Sequence, residues 1–364
     1  MNILHIYKDY SPVLGGIENH LRMLAERQAA AGHAVTVLVT NPGGQRRREV
    51  IERVEVLRLP RLGTVASTPL SVGFPGAIRR MAPDITHLHF PYPVGELGQL
   101  LGGRGRPYVV TYHSDVVRQQ AVLRMYMPVL NRVLDGAARI LPTSENYIRS
   151  SPFLRARRER CSVVGLGVDP RRFSGAGSLV APAEIPTVLF VGRHRYYKGV
   201  DDLIRAMVGV RARLLVGGDG PMRAHWERLA AEVGLGARAV FTGEVSDADL
   251  PGLYASADVF VLPANSRAEA FGQVLLEAMA SGLPCVTTEL GTGTSFVVRD
   301  GETGLVVPSH APEALRIAIS DLLEDPGRRA GMGAAGRTRV LDAFTPERMV
   351  ARVQGIYEEV LHAS

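Results

Sequence analysis

Two carboxylates eight positions apart, Glu269 and Glu277, lie in the run Glu269-Ala270-Phe271-Gly272-Gln273-Val274-Leu275-Leu276-Glu277. A helix starting near Gly272 would leave the N–H groups of Gly272, Gln273 and Val274 without intrahelical acceptors, and such donors suit the hydroxyls or anionic groups of a ligand. Glu277 would sit a turn or so inside that helix, where a carboxylate can accept two hydrogen bonds from a diol such as a ribose. Its neighbours are apolar or small, an odd setting for a solvated acid; the alternative has Glu269 capping the helix and Glu277 in water. Upstream, Gly192-Arg193-His194-Arg195-Tyr196-Tyr197-Lys198-Gly199 joins a strand to a helix. Arg193, through a planar fork, and Lys198, as a point charge, could clamp a diphosphate. On charge alone, a solvated basic loop is the simpler account of the pair. A third loop, Tyr10–Glu18, carries Gly15-Gly16 just before a helix, where backbone can approach a ligand closely. A plain strand-to-helix turn fits it as well. None of these loops has the G-x-G-x-x-G spacing of a nicotinamide dinucleotide site.

Asp247-Ala248-Asp249 has the Asp-x-Asp form able to hold a divalent cation. It falls between Gly243-Glu244-Val245-Ser246 and Leu250-Pro251-Gly252-Leu253 and reads as a helix start capped by Ser246 or Asp247. No other Asp, His or Cys group has ligand spacing along the chain, so no metal and no cofactor is expected.

These loops need a scaffold, and the chain supplies strand-like runs alternating with amphipathic helical stretches. In the first half the runs are Asn2–Tyr7, Ala34–Thr40, Ile85–Phe90 and Tyr108–Tyr112. In the second they are Thr187–Gly192, Arg213–Val216, Val259–Pro263 and Leu283–Thr288. Apolar strands separated by helices predict parallel sheets covered on both faces. The pattern restarts after Gly167-Val168-Asp169, and residues 174–186, rich in Gly, Ala, Ser and Pro, read as a linker. The expected class is α/β, with two Rossmann-like doubly wound domains, residues 1–173 and 187–345, facing each other across a cleft. The helical stretch 346–364 is expected to pack back on the first.

The length, 364 residues, suits two domains, and the charged fraction of 21% is that of an ordinary globular protein. No run of about 20 apolar residues predicts a membrane span, and the first residues lack the basic region of a signal peptide. Cys161 and Cys285 fit no metal spacing, which suits a reducing cytoplasm. Residues 1–172 hold 24 Lys and Arg against 13 Asp and Glu, a net +11 within a total of +6. That half should attract something anionic. No nucleic-acid-binding signature occurs, so no nucleic acid is expected; an anionic membrane surface or a phosphate-bearing acceptor fits better, against a plain surplus of arginine. The stretch Arg118–Leu134 mixes Val122, Leu123, Met125, Tyr126 and Leu130 with arginines. It reads either as an interfacial helix or as one packed in the first domain with arginines outside.

Taken in order, several pieces make the whole chain resemble glycosyltransferase family 4, whose fold is the two-domain GT-B type. They are Gly15-Gly16, Ala31-Gly32-His33-Ala34-Val35-Thr36-Val37, Thr111-Tyr112-His113-Ser114-Asp115 and Gly167-Val168-Asp169, followed by Arg193…Lys198-Gly199, Gly217-Gly218-Asp219-Gly220-Pro221 and Glu269…Glu277. The resemblance implies that Arg193 and Lys198 bind a donor diphosphate, that Glu277 holds the ribose, and that Glu269 contacts the donor sugar beside the N–H groups of Phe271, Gly272 and Gln273. It implies that Gly16 lets its loop close on the diphosphate and that His113 hydrogen-bonds to the sugar near the reacting carbon, although a satisfied histidine at a strand end would look the same. Two departures stand out: Leu166 where the family has Asn, and Gly291-Thr292-Gly293-Thr294-Ser295 where it has a Gly-Gly…Glu pattern. The second resembles a subgroup making bacterial surface polysaccharides, often with mannose. The implied activity is retaining, metal-independent transfer of a hexose from a nucleotide-sugar to a glycan or polyprenyl-diphosphate-linked acceptor, in the cytoplasm or on the inner face of the membrane. The alternatives are a GT-B nucleotide-sugar epimerase and a non-catalytic nucleotide-sugar-binding partner.

Overall fold

A computed structural model describes the chain apart from Leu14, Ala66, Ser67, Val117, Arg118, Gln119, Pro182 and Ser364; for residues 120–123 it describes the backbone alone. The chain divides into two compact units, Met1–Leu166 with Pro346–Ser364, and Gly167–Thr345. Residues 174–186, read above as a linker, fall within the second unit. There the Leu179 N–H donates to the Gly252 carbonyl at 2.9 Å.

The first unit contains β1 (Asn2–Ile6), β2 (Ala34–Asn41), β3 (Arg47–Ile51), β4 (Val54–Pro60), β5 (Gly63–Val65), β6 (Thr68–Leu70), β7 (Ile85–Phe90), β8 (Tyr108–Tyr112) and β9 (Arg139–Pro142). Seven of these form one sheet in the order β3-β4-β2-β1-β7-β8-β9, and β5 and β6 make a separate antiparallel pair. The sheet is parallel except at one edge, where β3 runs antiparallel to β4. The all-parallel expectation fails there because an edge strand has one free side, so a charged run such as Arg47-Arg48-Glu49 can join the sheet without being buried. Every residue of β7 and β8 is buried, as a strand covered on both faces requires.

Two helices cover one face through the usual three- and four-residue spacing. Gly16–Ala30 buries His20, Leu21, Leu24, Ala25 and Gln28, and Pro346–His362 buries Met349, Val353, Ile356, Tyr357 and Val360. The two helices touch each other, with Arg27 and Glu347 3.6 Å apart.

The second unit contains β10 (Thr187–Val191), β11 (Arg213–Gly217), β12 (Ala239–Gly243), β13 (Val259–Leu262), β14 (Cys285–Glu289) and β15 (Gly304–Pro308), all parallel in the order β12-β11-β10-β13-β14-β15. Numbered within the unit, this is the 3-2-1-4-5-6 order of a dinucleotide-binding sheet. No described helix is long and apolar enough to cross a membrane. The helix Gln120–Gly136 buries Leu130, Val133 and Leu134 and turns Arg124 and Arg132 outward. Of the stretch considered for a membrane surface, Arg118 and the side chains of Val122 and Leu123 lie outside the described residues. Met125, on the same helix, is 86% exposed.

Candidate active site

Doubly wound sheets bind ligands beyond the carboxyl ends of their strands, where the strand order reverses. In the second unit that point lies between β10 and β13. Lys198 follows the first of these strands and Glu269 the second, and although they are 71 residues apart, Lys198 Nζ donates to Glu269 Oε2 at 2.6 Å. Both side chains are about 90% buried, at 10% exposure each. Burial works against the ammonium, but the Glu269 carboxylate, with Tyr197 and Glu277, outweighs it and holds the Lys198 pKa above the ordinary lysine value. At 2.6 Å the two form a buried salt bridge.

Local turns fix both partners. Lys198 ends a 3₁₀ turn, Tyr196–Lys198, and Gly199 follows with φ of 65°. A Cβ at Gly199 would stand 2.0 Å from the Pro263 carbonyl oxygen, so only glycine lets the loop after β10 lie on the loop after β13. The Asn265 N–H donates to the Tyr197 carbonyl at 3.0 Å and ties the same two loops together. Glu269 is held at its other end. Its Oε1 accepts from the Gly272 N–H at 3.1 Å, and the buried Thr292 hydroxyl donates to its carbonyl at 2.9 Å. The Gly293 N–H reaches the Ala270 carbonyl at 2.9 Å. The Gly291–Ser295 loop, which departs from the family pattern, thus braces the loop that carries Glu269.

Gly272, with φ of 81°, caps the helix Gln273–Ala280. The expectation of three free N–H groups at this helix start needs correction: the Gly272 donor is taken by Glu269, because the carboxylate folds back over its own loop. Gln273 and Val274 follow at the first turn, where the helix provides no acceptors. Phe271 is buried and stacks edge-on with Phe344 at 6.2 Å. Glu277 is partly buried. Its Oε2 accepts from Tyr254 Oη at 2.7 Å, and Oε1 has no hydrogen-bond partner among the described residues. Burial pushes the Glu277 carboxyl up to about 7, against the pull of the Tyr254 hydroxyl. Arg193 is exposed, one residue beyond Gly192, where a Cβ would stand 3.5 Å from Lys198 Nζ.

The Gly217–Pro221 turn packs against the loop that follows β10. The Gly192 N–H donates to the Gly217 carbonyl at 3.1 Å and the His194 N–H to the Asp219 carbonyl at 2.8 Å. Asp249, and not Ser246 or Asp247, stands at the N-cap of the short helix Leu250–Tyr254, without a side-chain cap bond; its N–H donates to Ser246 Oγ at 3.2 Å, and the Asp-x-Asp run is the turn that leads into this helix. A surface depression of about 460 Å³, lined by Asn2, Arg46, Arg48 and Arg80, lies at the opposite, amino ends of the strands of the first unit and contains none of the candidate residues.

In the first unit, Gly16 opens its helix with nothing within 4 Å of where a Cβ would stand. His113 follows β8 and is 4% exposed. Its Nε2 is 3.1 Å from Nδ1 of His89. Burial holds its pKa well below the ordinary histidine value, so the ring is neutral.

Comparison with known proteins decides what these loops belong to. Residues 15–167 match the glycosyl transferase 4-like domain and residues 177–339 the glycosyl transferases group 1 family. The chain is 36% identical over 366 residues to the D-rhamnosyltransferase WbpZ of Pseudomonas aeruginosa, covering 95% of this chain and 92% of that protein. The chain belongs to the family 4 glycosyltransferases. This glycosyltransferase is also 32% identical over 374 residues to the O-antigen chain mannosyltransferase C of Escherichia coli, across 100% of both chains. Its fold is GT-B. Sucrose-phosphate synthase from Thermosynechococcus elongatus superposes on it with a TM-score of 0.82 at 25% identity, over 100% of both chains.

Several residues that hold the candidate loops of this glycosyltransferase were not among those read from the sequence. Tyr254 had no recognisable signal, and Thr292, within the noted Gly291–Ser295 run, gave none for its bond to the Glu269 carbonyl. A second omission did have one. His5, His87, His89, Thr111 and His113 recur at alternate positions on three adjacent strands or just beyond them, and alternation places them on one face of the sheet.

The Glu277 carboxyl gives the enzyme a testable pH dependence. The folded chain holds this proton up to about 7, whereas the unfolded chain releases it near 4.5. The native state thus binds the proton more tightly, and the stability gained from it is present below about 4.5 and lost as pH rises through 7. Urea unfolding of wild type and Glu277→Gln at pH 5 and pH 8 checks this. The wild type should lose stability relative to the variant between the two, and parallel behaviour would contradict it.

Proposed function

We propose that this glycosyltransferase moves a hexose of the manno series from a nucleoside-diphosphate donor, with GDP-mannose the first to try, to a hydroxyl of a glycan or polyprenyl-diphosphate-linked acceptor. The observation that carries the reading is the buried Lys198–Glu269 ion pair at the reversal point of the second sheet, beside an open helix start. Support for the sugar comes from relatives named for mannose and for D-rhamnose, which is 6-deoxymannose.

In this account the bond between the anomeric carbon and the β-phosphate oxygen breaks, and negative charge grows on that phosphate. Lys198, Arg193 and the N–H groups of Gln273 and Val274 stabilise the charge as it forms, so no divalent cation is required. Glu269, fixed by Lys198 and Gly272, retains lone pairs to accept from sugar hydroxyls, since a carboxylate offers about four acceptor sites. Glu277 accepts from the ribose through Oε1. The acceptor oxygen bonds to the anomeric carbon on the face the phosphate leaves, and its proton passes to the departing phosphate. Configuration is retained without a protein nucleophile. His113 hydrogen-bonds to the transferred sugar, and Gly16 leaves room for its loop to approach the diphosphate.

The test is transfer from GDP-mannose, UDP-glucose, UDP-galactose and dTDP-rhamnose to a lipid-linked glycan fraction in EDTA, with the product anomer read by NMR. One donor should be used without metal and with retention. Inversion, or strict dependence on Mg²⁺, would refute the account. A covalent adduct on Glu269 in intact-mass spectra would refute the one-step course.

The basic first half supports a further reading: the enzyme sits peripherally on the anionic inner face of a membrane. Flotation with vesicles containing phosphatidylglycerol should carry the protein upward and lose it at high salt. Equal behaviour with neutral vesicles would remove the membrane from the account.

A further inference from the structure

Five histidines, His5, His20, His87, His89 and His113, lie together in the first unit, each at most 4% exposed. Three of them join one line of hydrogen bonds. His113 Nε2 meets His89 Nδ1 at 3.1 Å, His89 Nε2 meets His5 Nδ1 at 3.1 Å, and His5 Nε2 meets the amide oxygen of Gln28 at 2.7 Å. The line runs from the carboxyl end of β8 across β7 and β1 to the helix Gly16–Ala30. His87 stacks on His89 with ring centroids 4.5 Å apart but bonds to Thr111 and Tyr357 instead. His20 stands edge-on to His113, its centroid 5.1 Å away, and neither of its ring nitrogens has a hydrogen-bond partner among the described residues.

Proton counting fixes the direction of this line. A neutral imidazole carries one N–H and one bare nitrogen, and each hydrogen bond needs one proton. Burial holds all three rings neutral: it lowers His5 to about 4 and His89 and His113 well below the ordinary value. The Gln28 amide turns its oxygen to His5 and leaves its buried Nε2 without a partner among the described residues; in that orientation the oxygen can only accept, so His5 carries its proton on Nε2 and its Nδ1 is bare. His89 must then donate from Nε2, leaving its own Nδ1 bare, and His113 must donate from Nε2 in turn. The nitrogen left over is His113 Nδ1, without a proton and outside the line.

We propose that Gln28, His5 and His89 are positioning residues that lock His113 in the Nε2–H tautomer, so that it presents a bare Nδ1 to the sugar. This rests on the role given to His113 above. A sugar hydroxyl donating to a bare ring nitrogen keeps more electron density on its oxygen, which favours the positive charge that develops on the sugar during transfer. The opposite tautomer would present an N–H and withdraw density. A single amide more than one ring away thereby sets the chemistry of the end group.

The test is the ¹⁵N spectrum of the full-length protein labelled at histidine, in which proton-bearing and bare ring nitrogens resonate far apart. Wild-type His113, His89 and His5 should all show the proton on Nε2. Gln28→Met removes the terminal acceptor and should mix the tautomers at His113, lowering kcat about tenfold without weakening nucleotide binding. Gln28→Glu restores an acceptor oxygen and should return the His113 signals to their wild-type positions. A proton on Nδ1 of wild-type His113, or His113 signals unmoved by Gln28→Met, overturns the relay. So does one zinc retained per chain, because nitrogens of His20, His89 and His113 lie within 4.8 Å of one another and would then be ligands. The two readings fail separately. A His113→Ala enzyme that transfers sugar at the wild-type rate removes the catalytic role of His113, and with it the functional half of the proposal, whereas the tautomer is read in the wild type without any turnover.

Discussion

Lys198→Met is expected to lower the rate of sugar transfer by about 10²- to 10³-fold and to cost roughly 3–5 kcal/mol of stability. The two losses have different origins. Transfer suffers because the ammonium that meets the new charge on the departing phosphate is gone. Stability suffers because Glu269, 10% exposed and held by the Gly272 N–H, is left as a buried carboxylate with no cation. Pairing Lys198→Met with Glu269→Gln separates them. The amide can still accept from Gly272, and no charge remains buried, so most of the stability should return. Transfer should not. Chemical unfolding and turnover measured on the single and double variants check both. Recovery of transfer in the double variant would mean that the pair is structural only.

His113→Ala should reduce kcat by about 10²-fold or more while leaving nucleotide affinity unchanged, because the side chains proposed to hold the nucleotide, Arg193, Lys198 and Glu277, belong to the second unit and His113 to the first. The variant also strips His89 of its Nδ1 partner, so some stability will be lost. Nucleotide affinity measured beside turnover keeps the two effects apart. Loss of both together would point to a disrupted fold, and loss of neither would leave His113 as a buried link in the histidine line.

Residue types were legible in the sequence wherever a loop had to do something unusual with charge or glycine. Glu277 stood out because it interrupts an apolar or small-residue context and Glu269 because it precedes a helix start, whereas Arg193 and Lys198 stood out only as cations in a glycine-bounded loop between a strand and a helix. What the chain order could not reveal was that Lys198 and Glu269 would bond to each other. That contact depends on β10 and β13 being neighbours although β11 and β12 intervene in sequence. Nor could spacing show that the Glu269 carboxylate would take the Gly272 donor, since this depends on how one loop folds over three residues. The histidine line was hidden for a different reason. Along the chain, His5, His89 and His113 are 84 and 24 residues apart, and only strand pairing brings them onto one face. The parallel core strands, apolar on both sides, were readable directly. The edge strand β3, with Arg47, Arg48 and Glu49, was not, because a strand with one open side need not be apolar.

The central claim is that a diphosphate binds at the Lys198–Glu269 pair without a metal. Calorimetric titration of GDP and UDP into wild type and Lys198→Met, both in EDTA, tests it most directly. The account predicts that one nucleotide binds the wild type in EDTA, that Mg²⁺ adds nothing, and that Lys198→Met weakens binding at least about tenfold, equivalent to ~1.4 kcal/mol. Binding that appears only with Mg²⁺, or that is the same in the variant, would contradict it.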